Sequence, residues 1–220
     1  MRLYGSDNQR LYLNASERMR FVEAAEQQPA HIRAFCLTLL YTGCRISEAR
    51  ELTIQSLQGR EQRIAIRSLK KRNQHHVREV PIPVPLCQSL SQLAARAKTT
   101  SALVKPEHIT QIQNNDGSSM QAENASIPSP PWLWQNSAGD MIDRIIAYRW
   151  VKNVMEEADI YGPQACPKGL RHGFGIHAVL SGVPLNMLQK WMGHADIRTT
   201  SIYANAVGPE ELRIAERMWT

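Results

Sequence analysis

The hydrophobic period along the chain is the feature that most constrains its fold. Gly43 closes one helical stripe, which is formed by Ile32, Phe35, Cys36, Leu39 and Leu40. Over residues 63–67 and 77–82 the period falls to two. These stretches predict a β-hairpin whose second strand ends at Pro83 and Pro85. Because helical spacing prevails elsewhere, we expect an α+β fold, predominantly α-helical, with a small antiparallel sheet.

Capping residues set the expected helix bounds. Asn14 and Glu17 form a capping box that predicts a first helix over 14–27, which Pro29 ends. The helix after Gly139 is expected to have one apolar face formed by Ile142, Ile145, Ile146, Trp150 and Val154. Further helices are expected over 47–52, 86–97, 168–180, 184–192, 196–205 and 209–218.

Length and composition place the chain among globular domains. Its 220 residues are 43% hydrophobic and 21% charged, so an adequate core needs no disulfides. The four cysteines form no C-x-x-C pair, which favours a reducing setting and gives no sign of a zinc site. The first residues lack a hydrophobic signal segment, and the apolar runs are too short to span a membrane. We therefore expect a cytoplasmic protein that does not bind a membrane.

The segment 99–131 differs from the rest of the chain. It is rich in Ser, Asn, Gln and Pro and has few large apolar residues. Such a segment buries too little apolar surface to order itself, so we expect a flexible surface insertion. Residues 1–220 are otherwise expected to form a single domain. Trp132 and Trp134 are expected to pack in its core where the insertion ends.

Positive charge is concentrated in the expected hairpin. The whole chain has a net charge of +6, and between Arg60 and Val80 seven Lys or Arg residues stand against two Glu residues. A run of charge is often only a solvated surface, but this excess in a basic protein favours a nucleic-acid partner. The residues expected to contact DNA are Arg67, Lys71, Arg72, His75 and Arg78.

Three short segments carry polar residues in a characteristic order. Residues 41–49 read YTGCRISEA, residues 170–173 read LRHG, and MGH at 192–194 is followed by TTSIY at 199–203. Together they resemble the conserved boxes of the tyrosine recombinase (phage integrase) family. One box alone would be weak, but three in the right order are specific. The resemblance implies the catalytic-domain fold of that family.

The resemblance also implies a chemistry. The implied protein is a site-specific DNA recombinase or integrase that cleaves and rejoins double-stranded DNA through a 3′-phosphotyrosyl intermediate, without metal, ATP or another cofactor. Tyr203 is the implied nucleophile, and a phenol with an ordinary pKa of about 10 needs nearby cations to react at neutral pH. Arg45 and Arg171 can supply them, because guanidiniums grip phosphate oxygens with paired donors. His194 is implied to hydrogen-bond the scissile phosphate.

The resemblance implies two lysine positions in the site. In the family, a hairpin lysine protonates the leaving 5′-oxygen; Lys70 best matches its position, and Lys71 is the alternative. Lys168 occupies the place, three residues before Arg171, where the second box usually has His. A lysine can still donate to phosphate, but it cannot shuttle a proton near neutral pH as imidazole can. We therefore expect Lys168 to alter the rate without abolishing activity.

Neighbouring polar residues have simpler interpretations. Glu48, one turn after Arg45, is expected to orient that arginine or cap a helix. His177 is expected to be a satisfied core or supporting histidine, and Cys44 a filler of the core. A metal site formed by His172, His177 and His194 is not expected, because no carboxylate or cysteine spacing supports it.

Assembly on DNA is implied as well. The family usually carries an N-terminal core-binding domain, and that domain is expected to be absent here, in an excised fragment or a naturally short member. The helix within 209–220 is expected either to dock on a neighbouring protomer, in a tetramer on DNA, or to fold back on its own domain. Association with the bacterial nucleoid would follow from DNA binding.

Two other functions remain open at this stage. One is a DNA-binding regulator with a recombinase fold and impaired catalysis, and the other is a type IB topoisomerase-like enzyme. The sequence also leaves open the DNA site, cleavage in cis or in trans, and the choice among integration, excision, inversion and resolution.

Overall fold

Helices and one small sheet make up the regular structure of this computed structural model, which describes residues 2–69, 76–103, 132–205, 209–216 and 218–219. The helices are α1 (Ala15–Glu26), α2 (Ala30–Thr42), α3 (Ile46–Arg50), α4 (Val84–Leu103), α5 (Arg144–Glu157), α6 (Pro167–Leu180), α7 (Leu185–Met192), α8 (Arg198–Ser201) and α9 (Pro209–Glu216). The strands are β1 (Leu57–Gln58), β2 (Arg63–Arg67) and β3 (Val77–Pro81), in the antiparallel order β1-β2-β3. This architecture confirms the predicted predominantly helical α+β fold with a small sheet.

Local signals fix the first two helices as predicted. The Asn14 side chain accepts a hydrogen bond from the backbone N–H of Glu17, and the Glu17 carboxylate accepts one from the backbone N–H of Asn14. Gly43 then ends α2 in the left-handed conformation, with a φ of 60°. That conformation favours glycine, and it turns the chain directly into the segment that carries Arg45.

The hairpin has the alternation that its sequence predicts. In the pairing of β2 with β3, Ile64 lies opposite Val80 and Ile66 lies opposite Arg78. All four residues are on the buried face of the two strands. Residues 70–75 of the hairpin loop, among them Lys70, Lys71, Arg72 and His75, lie outside the described residues.

Two hydrophobic clusters form the core within the described ranges. The larger one surrounds α2 and includes Phe35, Leu39 and Trp134, as expected for Trp134. Trp132, which was expected in the core as well, is only half-buried. The smaller one packs α6 and α7 around Tyr203, with Phe174 and Met192 among its members. Tyr203 is therefore held by core packing as well as by polar contacts.

Several bounds and faces differ from the prediction. The helix expected to open at Ser47 begins at Ile46, because the Glu48 carboxylate accepts the backbone N–H of Arg45 and so caps it one residue earlier. On α5, Ile145 and Ile146 are exposed, and the buried residues are Ala147, Val151, Val154 and Met155. The expected apolar face of α5 is thus wrong for the two isoleucines.

Helix α4 continues through Leu103, so residues 99–103 of the predicted insertion are helical. The remainder of that segment, residues 104–131, lies outside the described residues, and its flexibility stays a prediction. None of the helices in the described part of the chain has the length and apolar character needed to cross a membrane.

Candidate active site

Arg45 stands at the N-terminus of α3, where the left-handed turn at Gly43 places it. The Arg45 guanidinium donates to Glu48 Oε1 over 2.8 Å, and its backbone N–H donates to Glu48 Oε2 over 2.9 Å. The side chain of Arg45 keeps 27% of its exposure, whereas that of Glu48 has none. Glu48 is therefore an orienting and capping carboxylate, as the sequence predicted.

Arg171 is the buried arginine of the site, with 5% exposure. Its Nη1 donates to the carbonyl oxygen of Gly43 over 2.5 Å, and its Nη2 donates to that of Met192 over 2.8 Å. These bonds tie the end of α2 to the end of α7. Burial, together with the nearby positive charge of Arg45, lowers the pKa of Arg171 to about 10, so it remains a cation at neutral pH.

An open cleft brings together predicted site residues from the three boxes, apart from Tyr203, which is buried. The cleft has a volume of about 510 Å³ and is lined by Arg45, Ile46, Pro167, Lys168, Arg171, His194 and Thr199. Lys168 is exposed in the first turn of α6, one turn before Arg171. Three cationic side chains thus face a single solvent-accessible space, and such a space suits an anionic group.

His194 follows the left-handed end of α7 at Gly193, where φ is 65°. Its Nδ1 shares a hydrogen bond of 2.9 Å with Thr200 Oγ1, and its Nε2 is buried with no partner among the described residues. Burial, followed by the charges of Arg171 and Arg45, lowers the pKa of His194 to about 3. The ring is therefore neutral at pH 7, and the residue lines the cleft together with Arg171.

Tyr203 lies beneath the surface, in the turn Ile202–Asn205 that follows α8. It has 0% exposure, its hydroxyl shares a hydrogen bond of 3.2 Å with His172 Nδ1, and its ring stacks on that of His194 with centroids 6.4 Å apart. Burial raises the pKa of Tyr203 to about 12, although Arg171 and Arg45 act in the opposite direction. In this arrangement the hydroxyl is not accessible to a group outside the protein.

The predicted environments of Arg78 and His177 are wrong. Arg78 was expected to contact DNA, but it is 2% exposed and pairs with Glu48, because strand alternation puts it on the same face as Val80. His177 was expected to be a core or supporting histidine, but it is exposed on α6.

Arg67, which was expected to contact DNA, is exposed and pairs with Glu51 at 2.9 Å, and its contact with DNA stays a prediction. The other residues expected to contact DNA, namely Lys71, Arg72 and His75, and the expected proton donor Lys70 lie outside the described residues. Among the residues that the structure does describe, no three His, Cys, Asp or Glu side chains form a group suited to a metal ion.

Sequence reasoning missed two contacts of the site. The hydrogen bond of His172 to Tyr203 joins residues 31 positions apart, and that of Thr200 to His194 spans a loop. A local period or motif spacing gives no sign of such pairs. The first forms where α6 meets the turn after α8, and the second where the segment after α7 meets α8.

Solved structures define the class of fold. The XerA recombinase structure has a TM-score of 0.71 at 21% identity over 94% of this chain and 64% of its own. The catalytic domain of bacteriophage HP1 integrase has a TM-score of 0.54 at 20% identity over 94% of this chain and 93% of its own. The domain therefore has the fold of a tyrosine recombinase catalytic domain.

Sequence comparison then gives the family. Residues 11–208 match the phage integrase family, to which the chain belongs. Tyrosine recombinase XerD of Agrobacterium fabrum (strain C58) is 28% identical over 204 residues, covering 90% of this chain and 56% of the relative. XerD of Bifidobacterium longum (strain NCC 2705) is 29% identical over 171 residues, covering 78% of this chain and 48% of the relative. The chain thus spans about half the length of these curated relatives.

Proposed function

We propose that this chain is the catalytic part of a site-specific DNA recombinase, which cleaves and rejoins DNA through a 3′-phosphotyrosyl intermediate. The observation that carries the proposal is the cleft where Arg45, Lys168, Arg171 and His194 converge, with Tyr203 packed against His194. Family membership supports the same reaction. One structural neighbour is the XerH recombinase bound to its difH substrate, with a TM-score of 0.67 at 18% identity. Another is the Tn1549 transposon integrase in complex with transposon right end DNA, with a TM-score of 0.61 at 20% identity.

The arginines hold the scissile phosphate in this proposal. Arg45 is half-buried and oriented by Glu48, and Arg171 is fixed by two backbone carbonyls, so both guanidiniums are positioned before DNA arrives. Preorganised donors stabilise the charge that develops on phosphate oxygens as the fifth bond forms. His194 adds a neutral donor or acceptor through Nε2, which has no hydrogen-bond partner in the described part of the chain.

Tyr203 must leave its buried position to react. On that movement its hydroxyl gives up the hydrogen bond to His172 and its ring loses the surroundings that raise its pKa to about 12. The charges of Arg171 and Arg45 already lower that pKa and remain next to the cleft, so they favour the phenolate there. DNA binding is therefore coupled to a displacement of the turn Ile202–Asn205.

The exchange conserves the phosphodiester. The Tyr203 hydroxyl loses its proton to solvent and its oxygen bonds to phosphorus as the bond to the 5′-oxygen breaks, and Lys70, or Lys71 in its place, gives that 5′-oxygen a proton. In the reverse step a 5′-hydroxyl attacks the phosphotyrosine and returns its proton to the lysine, while the released phenolate takes a proton from solvent. Because the phosphodiester energy is kept, the exchange needs no ATP, and Arg45 and Arg171 supply the positive charge that a metal ion would otherwise provide. The protein is further proposed to act as a tetramer on DNA.

Relaxation of plasmid DNA tests the proposal without knowledge of the cognate site. Negatively supercoiled plasmid is incubated with the protein in EDTA, quenched with SDS, and resolved into topoisomers and protein-linked DNA. Wild type is expected to relax the plasmid, and Tyr203→Phe is expected to bind DNA without relaxing it. Salt-sensitive binding with no relaxation by wild type would favour a DNA-binding regulator. Relaxation of every sequence, with no recombination, would favour a topoisomerase-like enzyme.

A further inference from the structure

Arg78 is a fully buried cation of the hairpin. Its side chain has 0% exposure, as does that of its partner Glu48. Burying a charge is costly unless it is paired and hydrogen-bonded. The position of Arg78 is therefore held by its contacts, and each of these leads to an element of the candidate active site.

The contacts of Arg78 join three elements. Its Nη2 donates to Glu48 Oε2 over 2.6 Å, and its Nε donates to the carbonyl oxygen of Trp191 over 2.7 Å. That carbonyl belongs to the last turn of α7, where no helical N–H follows to bond it. Because Arg171 bonds the next carbonyl, that of Met192, two arginines fix the end of α7 just before His194.

Glu48 connects Arg78 to Arg45 by hydrogen bonds. Its Oε2 accepts from Arg78 and from the backbone N–H of Arg45, and its Oε1 accepts from the Arg45 guanidinium. Burial alone would raise the pKa of Glu48, but Arg78 and, to a smaller extent, Arg45 lower it below 4.5 overall. The carboxylate is thus an anion shared by two cations.

Gly193 leaves the space that Arg78 occupies. A Cβ atom at Gly193 would lie 3.0 Å from Arg78 Nη1 and 3.1 Å from its Cδ. A side chain at this position would therefore press on Arg78, and the φ of 65° also favours glycine there.

We propose that Arg78 is a positioning residue for strand cleavage: it holds Glu48 and the end of α7, and through them it sets the orientation of Arg45 and His194. This inference rests on the proposed function of the cleft. With Arg78 present, Glu48 and the end of α7 are tied together. Without it, Glu48 keeps its bonds to Arg45, but that link to α7 is lost.

Plasmid relaxation under excess protein measures the effect on the reaction. Arg78→Met is expected to relax supercoiled plasmid about 100-fold more slowly, since small displacements of positioned groups cost rate on this scale. Its affinity for the same plasmid is expected to stay near the wild-type value, because Arg78 does not reach the surface. Arg78→Lys keeps the charge near Glu48, so its relaxation rate is expected to lie between those of wild type and Arg78→Met. It replaces Arg78→Met in the comparison if that variant does not fold.

Arg63→Met is the matched control. It removes an arginine of the same hairpin whose side chain is 48% exposed. Arg63 pairs with the exposed Glu79, whereas Glu48 pairs with Arg45 and Arg78. We expect it to relax plasmid at nearly the wild-type rate. Equal rates for wild type, Arg78→Met and Arg78→Lys would overturn the positioning role.

A second measurement does not require cleavage. The ¹H–¹⁵N heteronuclear NOE of the Arg45 Nε–H group, assigned by its absence in Arg45→Lys, reports how well this side chain is held. It is expected to be high in wild type and clearly lower in Arg78→Met or Arg78→Lys. An unchanged NOE would refute the inference. If wild type failed to relax plasmid, the proposed function would fall, and the NOE would still decide what Arg78 does.

Discussion

Replacing Glu48 by Gln tests whether the buried carboxylate holds the two arginines together. The substitution keeps the shape of the side chain but removes its charge, which leaves Arg78 as a buried cation without an anion. Breaking a buried pair in this way costs about 3–5 kcal/mol. For a domain of this size, each kcal/mol lowers the unfolding midpoint by about 2–4 °C, so a fall of roughly 10 °C is expected.

Thermal unfolding followed by circular dichroism measures the fall. The matched control is Glu79→Gln, which makes the same chemical change in an exposed pair with Arg63 and is expected to leave the midpoint nearly unchanged. A Glu48→Gln midpoint as close to wild type as that of Glu79→Gln would refute the reasoning.

The same pair has a pH signature. Folding lowers the pKa of Glu48 from its ordinary value of 4.5. The carboxylate therefore contributes its full stabilisation of the folded state above pH 4.5 and loses it as the pH falls through the lower pKa of the folded state. The difference between wild type and Glu48→Gln is therefore expected to shrink on acidification below pH 4.5. A difference that stayed constant would show that the carboxylate charge is not what stabilises the site.

Three further predictions concern the histidines, the glycine beneath Tyr203 and the lysine of the second box. Burial lowers the pKa of His172 from 6.5 to about 4, so between these pH values the unfolded chain binds more protons than the folded chain. The free energy of unfolding should therefore fall as the pH falls across this range, and His172→Gln should reduce the slope of the melting midpoint against pH there. A Cβ at Gly175 would lie 2.5 Å from Tyr203 Cε1, so Gly175→Ala should displace the ring despite a gain in helix propensity of about 1 kcal/mol, and a wild-type melting midpoint would contradict this. Lys168→Gln should slow plasmid relaxation, whereas Lys168→His should retain it and add a dependence on pH. Because Arg45 and Arg171 line the same cleft, this dependence is expected below the ordinary histidine pKa of about 6.5. Equal rates for all three proteins would remove Lys168 from the mechanism.

The features that the sequence predicted correctly depend on short-range rules. The capping box of α1, the glycine that ends α2 and the alternating strands of the hairpin each involve residues a few positions apart. The gathering of Arg45, Arg171 and His194 was predicted from the family boxes, because those boxes mark residues that meet only in the folded chain.

The errors arise where tertiary packing decides the outcome. Arg78 follows the alternation that places Val80 inside, but its charge suggested a surface role; the buried partner that permits its position is Glu48, 30 residues away. On α5, side-chain size favoured Ile145 and Ile146, whereas the buried stripe begins at Ala147. The burial of Tyr203 likewise depends on contacts with His172 and His194 that no local pattern contains.

Identification of the residue that becomes linked to DNA tests the central claim most directly. Protein trapped on plasmid by SDS is digested with nuclease and trypsin, and the nucleotide-bearing peptide is sequenced by mass spectrometry. We expect the adduct on the tryptic peptide of residues 199–213, at Tyr203, the only tyrosine of that peptide. An adduct on Thr199, Thr200, Ser201 or any other residue, or its persistence in Tyr203→Phe, would contradict the account.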